Sequence, residues 1–146
     1  MARLALLGGE AAVRALDLLE RGEARFQPQD PAQVTHAKKL SKDDGRIDWT
    51  KSAVELTRFV RAMNPWPLAR TTLPDGRELA LLTVRIAELG PPANVPPGAL
   101  LDPKRFLVAT GRGALQLASV QPAGKPAMEG DAFLRGARLC ASAQLH

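Results

Sequence analysis

Beyond Asn64 the chain is interrupted by turn-forming residues so often that no segment can hold one conformation for long. Pro74-Asp75-Gly76, the four prolines within 90–97, Asp102-Pro103-Lys104 and Gly111-Arg112-Gly113 all fall between short apolar runs. Proline fixes φ and glycine reaches conformations that other residues avoid, so such clusters mark turns and loops. The runs between them read as strands over 68–73, 77–89, 98–101, 106–109 and 114–120. Within 77–89, Leu82, Val84 and Ile86 alternate with Thr83 and Arg85, the period of a half-buried strand. About five short strands beside one strong helix suggest a small, partly closed β-barrel. The pattern by itself is equally compatible with another small α+β fold.

That strong helix spans 52–63. Leu56, Phe59, Val60 and Met63 share a face that Ala53 extends, and Arg58 and Arg61 lie off its centre. Ser52 and Glu55 have capping-box spacing, and Asn64-Pro65 ends the helix because proline disfavours helical geometry in the residue before it. A second amphipathic helix spans 10–20, with Ala12, Ala15, Leu16 and Leu19 opposed to Arg14, Asp17 and Glu20, and Gly22 as its stop. Residues 27–35 carry two prolines among polar neighbours and read as an extended connector. The basic run Lys38-Lys39-Leu40-Ser41-Lys42 follows, with Ser41 and Asp44 spaced to cap one turn that Gly45 ends. Residues 131–139 form a closing helix interrupted by Gly136.

With 146 residues the chain has room for one core. Four Phe, two Trp and no Tyr make that core mainly aliphatic. The net charge of +5 is unevenly placed: residues 1–30 hold four Arg against five acids, and residues 31–146 hold sixteen Lys and Arg against ten acids. A basic domain suits a polyanionic partner, although basic solvated surfaces are common. The single cysteine, Cys140, excludes an internal disulfide and suits a reducing compartment such as the cytosol; it reads as an ordinary small residue. No apolar run approaches the ~20 residues of a membrane span, and 1–7 make a poor signal peptide.

Side chains for catalysis are sparse. The two histidines, His36 and His146, lie far apart, and one cysteine beside them offers no metal-ligand spacing. Gly111-Arg112-Gly113 is too short for a dinucleotide loop and reads as a turn. Asp43, Asp44 and Asp48 sit among basic residues and suit surface pairing better than acid–base chemistry. Trp49 and Trp66 read as packing residues of the core or of a domain interface. A groove that stacks single-stranded bases uses more aromatics than this chain can spare.

Three segments in fixed order carry a family resemblance: His-Ala-Lys-Lys-Leu-Ser-Lys-Asp-Asp-Gly-Arg-Ile-Asp-Trp at 36–49, Arg-Ala-Met-Asn-Pro-Trp-Pro at 61–67, and Gln-Pro-Ala-Gly-Lys at 121–125 with Met128 close behind. Together they resemble the carboxy-terminal domain of methionyl-tRNA formyltransferases, over nearly the whole chain. The resemblance implies a mostly β fold with flanking helices, an OB-like small β-barrel preceded by an N-terminal helix and linker. It divides the chain into 1–26, the terminal helix region of a missing catalytic domain; 27–45, a basic linker; and 46–146, an OB-like tRNA-binding domain. The resembled enzymes transfer a formyl group from 10-formyltetrahydrofolate to initiator methionyl-tRNA in the cytoplasm. Their catalytic Asn, His and Asp, and a His-Gly-Ser-Leu-Leu-Pro segment near the folate, belong to the amino-terminal domain and have no match here. No catalytic, cofactor or metal residue is therefore expected in this chain, which looks like the second half without the first.

Lys38, Lys39, Lys42 and Arg46 are the sharpest binding candidates, since flexible cations neutralise phosphates with release of counterions. Lysines of a solvated linker would look the same in sequence. The resemblance implies tRNA contact because the family uses basic residues of this connector against tRNA. Lys125 and Arg61 extend the candidate set, with Arg58 beside it. Many relatives have a further basic residue where Pro126 stands, and often glycine in place of Leu68. Three other readings stay open: the homologous domain of a sugar-nucleotide formyltransferase, a stand-alone RNA-binding barrel, and an interaction domain for an acidic protein. The apolar stripe of 10–20 argues against the stand-alone barrel, because it looks like the torn edge of another domain.

Overall fold

The computed structural model describes residues 2–87, 94–137, 139 and 143–146. Cys140, residues 88 and 89 of the expected long strand, positions 90–93 of the proline-rich loop and residue 138 of the closing helix lie outside these. The chain divides into two compact units, residues 1–38 and 39–146. No helix of the described residues is long and apolar enough to cross a membrane.

The first unit is built on helix α1, Ala2–Glu20, which starts earlier than the periodicity over 10–20 predicts. Its end is a Schellman motif: the Glu23 N–H donates to the Leu18 carbonyl, the Gly22 N–H donates to the Leu19 carbonyl, and Gly22 takes φ +68°. Leu4, Leu6, Leu7, Val13, Leu16 and Leu19 are all exposed on this helix. The connector holds a single 3-10 turn, Pro31–Gln33, capped by the Asp30 carboxylate, which accepts from the Ala32 N–H at 2.9 Å.

The second unit is an antiparallel six-stranded sheet with flanking helices. Strands β1 Ala69–Thr72, β2 Glu78–Ile86, β3 Leu100–Asp102, β4 Leu107–Ala109 and β5 Ala114–Pro122 lie in the order β1-β2-β5-β4-β3. The two-residue β6, Met128–Glu129, also pairs with β5; nothing so short shows as a period in sequence. No assigned strand pairing joins β1 to β3 among the described residues, so the expected barrel is not closed by its strands. Instead the segment 143–146 hydrogen-bonds to both sides. Leu100 N–H donates to Ala143 C=O and Leu145 N–H to Gly98 C=O, while Thr72 and His146 exchange both backbone bonds, at 2.6 and 2.9 Å.

Helix α2, Ala53–Met63, begins with the full capping box that its sequence predicts. The Ser52 hydroxyl accepts from the Glu55 N–H, and the Glu55 carboxylate accepts from the Ser52 N–H at 3.0 Å. Ala53, Leu56 and Val60 are buried, with Phe59 and Met63 packed against the same core, and the Asn64 amide donates to the Leu82 carbonyl at 3.3 Å. Helix α3, Gly130–Ala137, runs through Gly136 and packs Phe133 against Phe106 with ring centroids 5.9 Å apart. Leu79, Leu81, Leu115, Leu117 and Val120 complete the aliphatic core.

Two local readings need correction. Ser41 does not cap the turn Asp43–Gly45; the Asp44 carboxylate reaches back instead, accepting from the Ser41 N–H at 2.7 Å and its hydroxyl at 2.9 Å. Trp66 is not a core residue: it is 52% exposed, whereas Trp49 is only 5% exposed. Trp66 lies between Pro65 and Pro67, both in cis linkages, and of the three only Pro67 is buried. Trp49 is anchored as its place after Ile47 suggests. Its indole N–H donates to the Thr71 hydroxyl at 3.0 Å, and that hydroxyl donates to the His146 carbonyl at 2.9 Å.

Candidate nucleic-acid interface

The site grows from the alternation of β1. Ala69 and Thr71 point inward and are buried, so Arg70 and Thr72 point outward. The tight turn at 74–76 sets the register that pairs Thr72 with Glu78 and Arg70 with Ala80. Across the next strand Ala80 pairs with Gln121, which places Gln121 on the same outer face. The Gln121 amide donates to the Lys125 carbonyl at 3.0 Å, tying the Gly124-Lys125 loop to that face.

The segment 42–47 lies along the far edge of β1. Ile47 N–H donates to Arg70 C=O at 2.9 Å, and Arg46 and Arg70 form a parallel bridge. Gly45 permits this approach, since a Cβ at that position would overlap the Leu68 carbonyl oxygen. The result is a polar cleft of about 280 Å³ lined by Lys42, Asp43, Arg46, Arg70, Thr72 and Glu78. A neighbouring cleft of about 370 Å³ carries Lys125 and Arg77, shares Glu78, and has an apolar floor including Met128 and Phe133.

The predicted cations therefore separate. Lys42 and Arg46 line one cleft, and Lys125 lines the next, with Glu78 common to both. Lys39 is exposed and lies outside both. Arg61 lines a different depression, with Asn64, Leu82 and Thr83. Lys38 belongs to the first unit. Arg70 and Arg77 were not singled out from sequence, and the signal that finds them is the inward–outward alternation around the 74–76 turn.

Arg77 is partly committed. Its guanidinium bonds the Asp75 carboxylate at 2.6 and 2.8 Å, which holds the Asp75 carboxyl below its usual range and raises the arginine. Asp48 is likewise held low, first by the Thr50 hydroxyl and then by the Thr50 N–H, with the Lys51 charge adding a smaller pull in the same direction. Among the described residues no group of three or more His, Cys, Asp or Glu is placed to hold a metal ion. What the face offers is positive charge and hydrogen-bond donors on a rigid strand, suited to gripping an anion.

Comparison with known proteins resolves the kinship. Residues 39–138 match the model of the family described as formyl transferase, C-terminal domain. The chain belongs to that family. Among similar proteins, the methionyl-tRNA formyltransferase of Stutzerimonas stutzeri (strain A1501) is 46% identical over 134 residues, covering 90% of this chain and 41% of that protein. The enzyme of the same name from Desulfotalea psychrophila is 40% identical over 145 residues, 98% of this chain and 44% of its own length. The chain thus spans about two fifths of the length of the relatives it matches. In structure, this formyl transferase C-terminal domain is similar to HypX from Aquifex aeolicus in complex with tetrahydrofolic acid. The TM-score is 0.62 at 22% identity, over 86% of this chain and 22% of that one, a likeness of fold.

Proposed function

We propose that this chain is the RNA-gripping carboxy-terminal part of a cytoplasmic methionyl-tRNA formyltransferase. The remaining, amino-terminal part would transfer the formyl group of 10-formyltetrahydrofolate to the amino group of methionine on the initiator tRNA. Identity of 40–46% along 90–98% of the chain with proteins of that name carries the reading. In this scheme residues 1–26 close the catalytic domain, 27–45 form a basic linker and 46–146 form an OB-like barrel whose seam is filled by 143–146. Lys38, Lys39, Lys42, Arg46, Arg61 and Lys125 supply phosphate affinity. Two sites on one chain raise the effective concentration of the tRNA at the reacting centre. The two adjoining clefts, one lined by Arg46 and Arg70 and the next by Lys125, support recognition of a folded RNA through its phosphates.

The test is fluorescence anisotropy of labelled initiator tRNA with the full chain at 50 and 200 mM KCl. About four phosphate contacts weaken binding roughly 100-fold between these salts. Binding with no salt dependence would overturn the reading and favour the sugar-nucleotide relatives. The chain alone is expected to show no formylation, and adding a catalytic amino-terminal domain in cis is expected to restore it.

A further inference from the structure

We propose that the cleft between 42–46 and β1 is the seat of a single RNA phosphodiester, anchored by Arg70 and latched by Glu78. The inference rests on the RNA-binding reading and adds to it one defined subsite, with two residues that the basic linker does not contain.

Three observations carry it. The backbone bridge between residues 46 and 70 brings two arginines to the lining of one cleft, where like charges favour an anion between them. Glu78 meets that need poorly. It approaches Arg70 Nη1 at only 3.7 Å, and its side chain is 56% exposed, so the pair is weak and easily exchanged. Arg70 is nevertheless held in place, because its Nη2 donates to the Pro67 carbonyl at 3.2 Å and most of its side chain is covered. A guanidinium fixed at one nitrogen keeps its other N–H groups for a planar, two-point contact with a phosphate.

The charge count also selects the ligand. Lys42, Arg46 and Arg70 oppose Asp43 and Glu78, leaving one net positive charge in the cleft. A phosphodiester carries one negative charge and matches it. Thr72, directly opposite Glu78 in register, presents a hydroxyl at the same place. When the phosphate enters, Glu78 releases Arg70 and swings to solvent, its repulsion for RNA remaining as a cost on affinity.

Arginine and glutamate therefore have opposite signatures. Anisotropy titrations of initiator tRNA across a KCl series compare the full chain with Arg70→Gln, Glu78→Gln and Arg135→Ala. Arg70→Gln is expected to weaken binding several-fold at low salt and to lower the log–log salt slope by about one contact. Glu78→Gln is expected to tighten binding a few-fold, a direction that loss of folding cannot imitate. Arg135, which lines neither cleft, is expected to leave affinity and slope unchanged. A wild-type slope that persists in Arg70→Gln, or a Glu78→Gln variant no tighter than wild type, overturns the subsite while leaving RNA binding intact. A wild-type chain without salt-dependent tRNA binding overturns the broader reading and this one with it. Thermal melts accompany each variant; if Arg70→Gln unfolds, Glu78→Gln decides.

Discussion

Thr71 is a small residue with an unusually wide reach. Its hydroxyl is buried, accepts from Trp49 and donates to His146, so one oxygen joins the segment ahead of α2, the first strand and the stretch 143–146. Replacing it with valine keeps the shape and leaves the Trp49 indole N–H without its acceptor, while the His146 carbonyl still accepts from the Thr72 N–H. Thr71→Val is expected to lower unfolding stability by about 1–3 kcal/mol, measured by urea denaturation. Leu68 presents the opposite problem, a side chain where the backbone prefers none. It sits at φ +69°, in the left-handed region, which costs a non-glycine residue about 1–2 kcal/mol. Leu68→Gly removes that strain and also removes half-buried apolar surface, contributions of similar size. The expected net change is within about 1 kcal/mol; a loss well above that in the same urea assay would show that the leucine is not strained.

At the scale of elements, sequence was most informative where local chemistry decides the outcome. The capping box of α2, the stop at Gly22 and the turn at 74–76 all depend on residues within a few positions of one another, so their spacing already contains them. Ser52→Ala is expected to cost about 1 kcal/mol in thermal or urea unfolding. Glu55 and Asp48 are held below the usual carboxylate range, in each case first by a side-chain hydroxyl, and Asp131 is held low first by Arg135. A carboxyl lowered in the folded state stabilises above its unfolded pKa near 4 and loses that contribution as pH falls through the folded value. The midpoint of thermal unfolding is therefore expected to be flat between pH 7 and 5 and to drop below pH 4. Other features were illegible because they depend on distant partners. The exposure of Trp66 follows from how the 65–68 corner meets the sheet, and β6 exists only because β5 is there to pair with it. The site divides along the same line. Lys42, Arg46 and Lys125 stand out as charges in sequence, but Arg70 becomes visible only once the pairing of Thr72 with Glu78 fixes which way its strand faces.

At the scale of the folded unit, the stretch from 143 to 146 is a short staple between the first strand and the third. Its residues give backbone bonds to both, and Ala143 and Leu145 are buried in the common core. Removing these four residues exposes Gly98, Leu100 and Thr72 together and empties the place of Leu145. Deletion of 143–146 is expected to cost more than about 3 kcal/mol, read from the denaturant midpoint, since a buried leucine alone contributes roughly 2 kcal/mol. The contrast between the two tryptophans has a practical consequence for all such measurements. The molecule carries a natural pair of optical reporters, one sheltered and one bathed in solvent. Acrylamide should dim the emission of Trp66 in the native protein and reach Trp49 only after the interior opens, so a single fluorimeter trace can separate events at the 65–68 corner from loss of the fold itself.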